Sequence, residues 1–235
     1  SPVSLIVTAF APVSDVNKTL TPELVKTDEP TRLLLIDIAQ GKQRMAQSIL
    51  AQVTQQVGSV QDVPDCDSAE VLKNAFDALQ ALRAAGLALA YHDKSDGGLF
   101  AAAAEMAFAA QTSVALNVDL LTIDPNTLDA GDFKINGVQM QVQRQEALVK
   151  ALFNEELGML IQIRKDDTSA VMDILRAHGL GAHSHIVGQV INTEQAKAEF
   201  TVWQDGESQF KQPLAVLHAA WCETSFHIAK LRDNP

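Results

Sequence analysis

Apolar residues along this chain show two periodicities, one typical of strands and one typical of helices. Alternating or continuous short apolar runs predict strands over residues 3–11, 33–38, 87–91, 113–120, 159–163 and 185–191. Apolar residues three and four apart predict helices within 41–61, 67–86, 99–110, 148–158, 167–178 and 213–228. Asp205-Gly206 between two further strands predicts a hairpin. This alternation predicts an α/β (α+β) fold, in which helices pack on a layered mixed sheet.

Local signals suggest where several of these helices begin and end. Asp67 and Glu70 have the spacing of a capping box, which predicts that Asp67 caps the second helix, and Gly86 predicts its end. Pro213 suits the first position of the last helix. Residues 124–143 are polar and interrupted by Pro and Gly, so we expect a surface excursion there.

Length and charge narrow the class of protein. The 235 residues fit one domain over 1–235, with 213–235 as a C-terminal helical extension. With 18 Lys and Arg against 29 Asp and Glu, the net charge of −11 argues against nucleic acid or an anionic membrane as partner. No apolar stretch reaches the ~18 residues of a membrane span. We expect a cytoplasmic protein with reduced Cys66 and Cys222; its start at Ser1 without Met suggests a piece of a longer polypeptide.

The strongest candidate for a binding site is the segment His92-Asp93-Lys94-Ser95-Asp96-Gly97-Gly98-Leu99, because it joins a predicted strand to a predicted helix. Gly97 and Gly98 permit a tight turn, and the N–H groups of the following helix favour a phosphate. Asp93 is an oxygen ligand of the kind that Mg²⁺ uses beside nucleotide phosphates, and Ser95 could contact a phosphate or the metal. The same pattern also fits an ordinary turn with a helix cap.

Other residues whose side chains could bind a ligand or react have simpler structural explanations. We expect His92 to be a hydrogen-bonded core histidine, and Trp203 and Trp221 to anchor the core or a domain interface. His183 and His185 have no carboxylate or Cys neighbours at ligand spacing, so we expect no metal there. Residues 153–158 would close a helix near the nucleotide face or simply end it with two solvated Glu.

Three segments resemble the phosphoribosylformylglycinamidine synthase family. They are the turn at 92–99, Ala-Glu-Met-Ala-Phe-Ala at 104–109 and Leu-Phe-Asn-Glu-Glu-Leu-Gly at 152–158. Residues 1–6, 34–37 and 231–235 fit the same stretch, so the resemblance covers nearly the whole chain. It points to the long single-chain bacterial form and to the second of its C-terminal-type AIR-synthetase-like domains.

This resemblance implies a reaction and a set of ligands. The family uses ATP and glutamine to convert formylglycinamide ribonucleotide to formylglycinamidine ribonucleotide in purine biosynthesis. Mg-ATP phosphorylates the amide oxygen, and ammonia from glutamine then displaces phosphate. Carried onto this chain, Asp93 would ligate Mg²⁺ and Ser95 would contact ATP or ADP, while Asp96, Gly97 and Gly98 would shape the cofactor-binding turn. No catalytic residue is assigned to this chain.

The resemblance also implies partners, because parts of the family's machinery have no counterpart here. Nothing in the sequence resembles a Gly-x-Cys-x-Gly glutaminase turn or the N-terminal-type synthetase half-domains, so these would be partners and the chain would be inactive alone. The segment 122–145 is longer than the corresponding segment of the family. The alternative is a non-catalytic nucleotide-binding or assembly module of the same superfamily. Selenophosphate synthetase and thiamine-monophosphate kinase need a Gly- or Lys-rich nucleotide segment that is not found before Leu33.

Overall fold

A computed structural model describes residues 7–13, 15–123 and 137–233, with side chains described from 141 onward in the last range. The chain forms seven strands and six α-helices within these residues. They are β1 Thr31–Asp37, α1 Ile49–Val53, α2 Ala69–Ala84, β2 Ala90–Lys94, α3 Gly98–Ala110, β3 Ser113–Asn117, α4 Gly137–Phe153, β4 Gly158–Arg164, α5 Thr168–Ala177, β5 Ser184–Ile191, β6 Glu199–Gln204, β7 Glu207–Pro213 and α6 Leu214–Arg232.

The strands form one mixed sheet in the order β2-β4-β1-β5-β3-β6-β7. Strand β1 lies inside the sheet and is antiparallel to both β4 and β5, while β3 and β6 are parallel. Because β1 is covered on both faces, it reads as a continuous apolar run rather than an alternating one. The predicted hairpin is confirmed as β6 and β7, with Asp205 and Gly206 in left-handed conformations between them.

Helices cover the two faces of the sheet unequally. On one face, α3, α4 and α6 enclose an apolar cluster that contains Leu33 and Leu35 of β1. On the other face, α2 and α5 pack over β4 and β1 around Leu34 and Ile36. The predicted fold class, a layered mixed sheet with packed helices, is confirmed. The many Ala of α3 are buried, which lets this helix approach the sheet closely.

Several predicted boundaries differ from the structure. Ser68, not Asp67, caps α2, because the Asp67 carboxylate binds Arg44 and Lys42 instead. The strand predicted at 87–91 is β2 and lies three residues later, since the Leu87 N–H still bonds to a carbonyl at the end of α2. Residues 7–13 form no strand, and residues 1–6 lie outside the described residues.

The excursion predicted at 124–143 is partly wrong, because α4 already begins at Gly137. Residues 141–143 of this helix are exposed, so they contribute no apolar stripe that periodicity could detect. Residues 124–136 lie outside the described part of the chain. Pro213 precedes α6 rather than starting it, since it still belongs to β7.

No helix in the described part of the chain is long and apolar enough to cross a membrane.

Candidate functional site

The turn at residues 95–97 lies where the edge strand β2 ends and α3 begins. Lys94 is the last residue of β2, and it pairs with Gly158 of β4, which in turn pairs with Asp37 at the end of β1. Gly97 and Gly98 have φ angles of 78° and 67°, a left-handed conformation that favours glycine. The pairing of β2 with β4 and of β4 with β1 therefore fixes the position of the turn at the end of the sheet.

Gly98 lies directly against the C-terminal end of α4. A Cβ at this position would be 2.6 Å from the carbonyl oxygen of Leu152 and 2.7 Å from that of Asn154. Only hydrogen fits in that space. The fold requires the two glycines for different reasons, since Gly97 forms the turn and Gly98 also permits the contact between α3 and α4.

The positive end of α3 faces a carboxylate of this chain. Glu155 Oε1 accepts hydrogen bonds from the N–H groups of Gly97 and Ile49, both at 2.8 Å. One carboxylate oxygen thus joins the start of α3 to the start of α1. A negative charge at a helix N-terminus is stabilising, and here the protein supplies that charge itself.

Lys94 is the buried cation of the site. Its Nζ donates to Asn154 Oδ1 at 2.6 Å, and the residue is only 6% exposed. Burial lowers the pKa of Lys94 to about 8, although the carboxylates of Asp37 and Glu156 act in the opposite direction. Asp37 is itself buried and accepts the N–H groups of Ala39 and Gly41. The ammonium group therefore ties β2 to the end of α4.

Glu156 is the buried anion that closes this cluster. Its side chain is 0% exposed and accepts hydrogen bonds from the N–H, Nε and Nη2 of Arg44, the Nε bond being 2.5 Å. The hydrogen bond to Glu156 is the main cause that raises the pKa of Arg44. Arg44 also binds Asp67, so segments 37–44, 65–67 and 154–158 are held together.

Asp93 lies on the opposite face of β2 from Lys94, as alternation along a strand requires. Its side chain is exposed and accepts a hydrogen bond from the Tyr91 hydroxyl. Burial and this carboxylate raise the pKa of Tyr91. Ser95 and Asp96 are exposed as well. The structure thus places Asp93 and Ser95 at one accessible edge, apart from the buried Lys94 cluster.

A family model described as AIR synthase related protein, C-terminal domain, matches residues 41–200, a range that contains the turn, α3, α4 and Glu156. The chain belongs to this family.

Solved structures share the fold of this AIR synthase related domain at low identity. Thermotoga maritima PurL complexed with ATP is 12% identical, with a TM-score of 0.57 over 86% of this chain and 27% of that chain. T. maritima PurL complexed with FGAR is 13% identical, with a TM-score of 0.58 over 86% of this chain and 30% of that chain. E. coli HypE, a hydrogenase maturation protein, is 17% identical, with a TM-score of 0.50 over 83% and 52%.

The chain therefore spans less than a third of the length of these PurL chains. Since PurL and HypE have different descriptions, the fold of the AIR synthase related domain does not by itself determine the reaction.

Asp93 and Ser95 provide one carboxylate and one hydroxyl group at and just beyond the exposed end of β2. The described residues contain no group of three or more His, Cys, Asp or Glu side chains that could hold a metal ion. Mg²⁺ typically takes one or two protein carboxylates and completes its shell with water and phosphate oxygens. The exposed Asp93 carboxylate and the nearby Ser95 hydroxyl fit that requirement.

Sequence reasoning missed the buried cluster of the AIR synthase related domain and placed other residues differently. Lys94, Asp37 and Arg44 were not singled out, although a Lys inside a strand that ends at a glycine turn is a usable signal. His92 is half-buried rather than deep in the core, with Nε2 2.9 Å from Glu105 and Nδ1 bonded to the Asp93 carbonyl.

The two Trp residues lie near the surface of the domain. Trp203 is 38% exposed and Trp221 is 58% exposed, so neither is a core residue. Trp221 donates to Glu105 and packs beside Phe108 on α3. Cys222 lies 3.5 Å from His218, and both cysteines are free thiols.

The buried Lys94 makes stability depend on pH. Its pKa is about 8 in the folded chain against an ordinary 10.5, so between these values the unfolded state binds more protons and stability rises with pH. Relative to Lys94→Met, we expect the wild type to gain about 2 kcal/mol of unfolding free energy from pH 8 to pH 10. Urea unfolding at both pH values measures it. Lys165→Met, at an exposed position, is the control, and a pH-independent difference for Lys94→Met would contradict the assignment.

Proposed function

We propose that this chain is a C-terminal-type domain of a phosphoribosylformylglycinamidine synthase of the long single-chain bacterial form and supplies part of its Mg-nucleotide site. The observation that carries the proposal is the end of β2 with the turn at 95–97: Asp93 and Ser95 are exposed there, while the pairing of Lys94, Gly158 and Asp37 fixes the base of the turn. A site for a charged ligand needs this combination of accessible groups and a rigid support.

In this proposal each residue of the turn has a separate task. Asp93 ligates Mg²⁺, and Ser95 donates a hydrogen bond to a phosphate of ATP or ADP. Gly97 and Gly98 give the turn its shape. Because Glu155 already accepts the Gly97 N–H, a phosphate that reaches this group must displace the carboxylate or bind beside it through the metal.

The rest of the reaction belongs to the parent enzyme. We propose that N-terminal-type half-domains and a glutaminase domain complete the site and that the AIR synthase related domain is inactive without them. We also propose that residues 213–235, which contain α6, extend the domain. Mg-ATP would phosphorylate the amide oxygen of formylglycinamide ribonucleotide, and ammonia would then displace phosphate to give the amidine. Complexes of T. maritima PurL with ATP and with FGAR support these ligand classes for a protein of the same fold.

Calorimetric titration of MgADP tests the nucleotide role of the turn. We expect saturable heat for the wild type and at least about tenfold weaker binding for Asp93→Ala, since the variant removes a charged ligand of the metal. Asp77→Ala on the exposed side of α2 is the matched control and should bind as the wild type does.

The titration also separates the alternatives. Equal affinity for the wild type and Asp93→Ala would contradict the metal-ligand role. A wild type that binds no nucleotide would mean that the site forms only when the other half-domains close over this domain.

A further inference from the structure

An open cavity of about 560 Å³ lies on the same face of the sheet as α2 and α5, over the part that these helices do not cover. Its floor is formed by residues of β1, β5 and β3, and Trp203 of β6 forms one wall. This volume lies within the range of small-molecule sites. The turn at 95–97 follows the end of β2 at the other edge of the sheet, beyond β4 and β1, so the cavity is separate from the site described above.

The cavity contains an unneutralised cation. Arg32 lines it and is half-buried, and within the described ranges its side chain makes one hydrogen bond, to Thr168 Oγ1 at 3.4 Å. No carboxylate among the described residues forms an ion pair with Arg32, although the chain carries a net charge of −11. Gln189 is paired with Arg32 across β1 and β5, and its carboxamide makes no hydrogen bond within the described ranges. A guanidinium and a carboxamide side by side form a ready anion receptor.

The opposite part of the cavity is flat and apolar. Trp203 presents a partly exposed indole, and Ala115 and Ile186 also line the cavity. Nearby Asn117 is already engaged with Asp119 through two hydrogen bonds, at 2.9 and 3.1 Å. The negative Asp119 at this end excludes an anion there, so the charge of a ligand must lie at the Arg32 end.

We propose that this cavity binds a small planar aromatic anion, with its charged group on Arg32 and Gln189 and its ring against Trp203. The ring gains apolar burial and stacking from the indole, and the anion gains charge-assisted hydrogen bonds. This site needs no divalent metal and does not depend on the proposed function.

AMP is the probe, because it joins a planar ring to a phosphate, and adenosine and ribose 5-phosphate carry each part alone. In a Trp221→Phe background Trp203 is the one remaining tryptophan, and its fluorescence is followed in buffer with EDTA. We expect saturable quenching by AMP and at least about tenfold weaker binding of the two half-ligands. Arg32→Gln should weaken AMP binding by about tenfold to hundredfold, whereas Arg83→Gln on exposed α2 should not.

Further variants decide between this site and the turn. Asp93→Ala should leave AMP binding in EDTA unchanged, and Arg32→Lys, which keeps the charge, should retain part of the affinity. Circular dichroism confirms that each variant is folded. Quenching that does not saturate, equal affinity of Arg32→Gln and the wild type, equal affinity of AMP and adenosine, or loss of binding in Asp93→Ala would each overturn the proposal.

Discussion

Replacing Gly98 by alanine is expected to destabilise the chain by about 2–5 kcal/mol. The new Cβ would meet the carbonyl groups of Leu152, Phe153 and Asn154 at 2.6 to 2.9 Å, so α3 and α4 would have to separate. Overpacking of this kind costs about 1–3 kcal/mol, and the left-handed φ of 67° adds about 1–2 kcal/mol for a residue with a Cβ. Urea unfolding measures the sum.

Gly86→Ala is the matched control for this effect. Gly86 has nearly the same φ of 68°, but no atom lies within 4 Å of the position that its Cβ would take. We therefore expect only the backbone part of the loss, about 1–2 kcal/mol. Equal losses for Gly86→Ala and Gly98→Ala would show that the contact of α3 with α4 is not tight. A larger loss for Gly98→Ala would show that α4 fixes the turn in place.

Glu156→Gln is expected to cost about 3 kcal/mol, because it leaves the Arg44 guanidinium without its buried partner. The glutamine keeps the volume and one acceptor, but its amide N–H₂ would face the Nη2 of Arg44, which now donates to Glu156 Oε2 at 2.8 Å. Two donors would then oppose each other in a site where the carboxylate is fully buried. Chemical denaturation of the variant at pH 7 measures the loss.

Asp77→Asn is the corresponding control in an exposed ion pair. Asp77 pairs with Lys73 across one turn of α2, where both side chains are largely exposed, and such pairs contribute little to stability. We expect no measurable change. A Glu156→Gln variant as stable as Asp77→Asn would contradict the view that Arg44 and Glu156 hold the segments around the turn together. The double variant Arg44→Met and Glu156→Leu should recover part of the loss, since it removes both charges.

Strong periodicity explains which parts of the fold could be predicted from the sequence. The stripes of α2, α3 and α5 and the apolar run of β1 reflect burial, and burial leaves a regular pattern. Residues 141–143 of α4 are exposed, so this part of the helix left no such pattern. The place of β2 depended on how α2 ends, and the Leu87 N–H bond to Leu82 is a backbone feature that residue types only suggest.

The candidate site shows the same division. The glycines and the carboxylate of the turn could be found because they are adjacent in sequence. The partners of Lys94 could not, since Asn154 and Asp37 reach it only through the pairing of β2, β4 and β1. Asp93 and Lys94 point to opposite faces of the sheet because β2 continues to residue 94. The strand predicted from the sequence ended at Tyr91, so it could not show this. The roles of Asp93 and Ser95 remain predictions for the titration to test.

The position of β1 determines the order in which this chain can assemble. β1 is the first of the described strands in sequence but lies between β4 and β5, so Ile36 pairs with Met159 and Ser184. On a ribosome, β1 would emerge long before either neighbour, and its apolar residues would have no sheet partner during that time. Such long-range pairing slows folding and prolongs the exposure of aggregation-prone strands. The centre of the sheet can close only after both β4 and β5 have been made, and the hairpin of β6 and β7 is made after them.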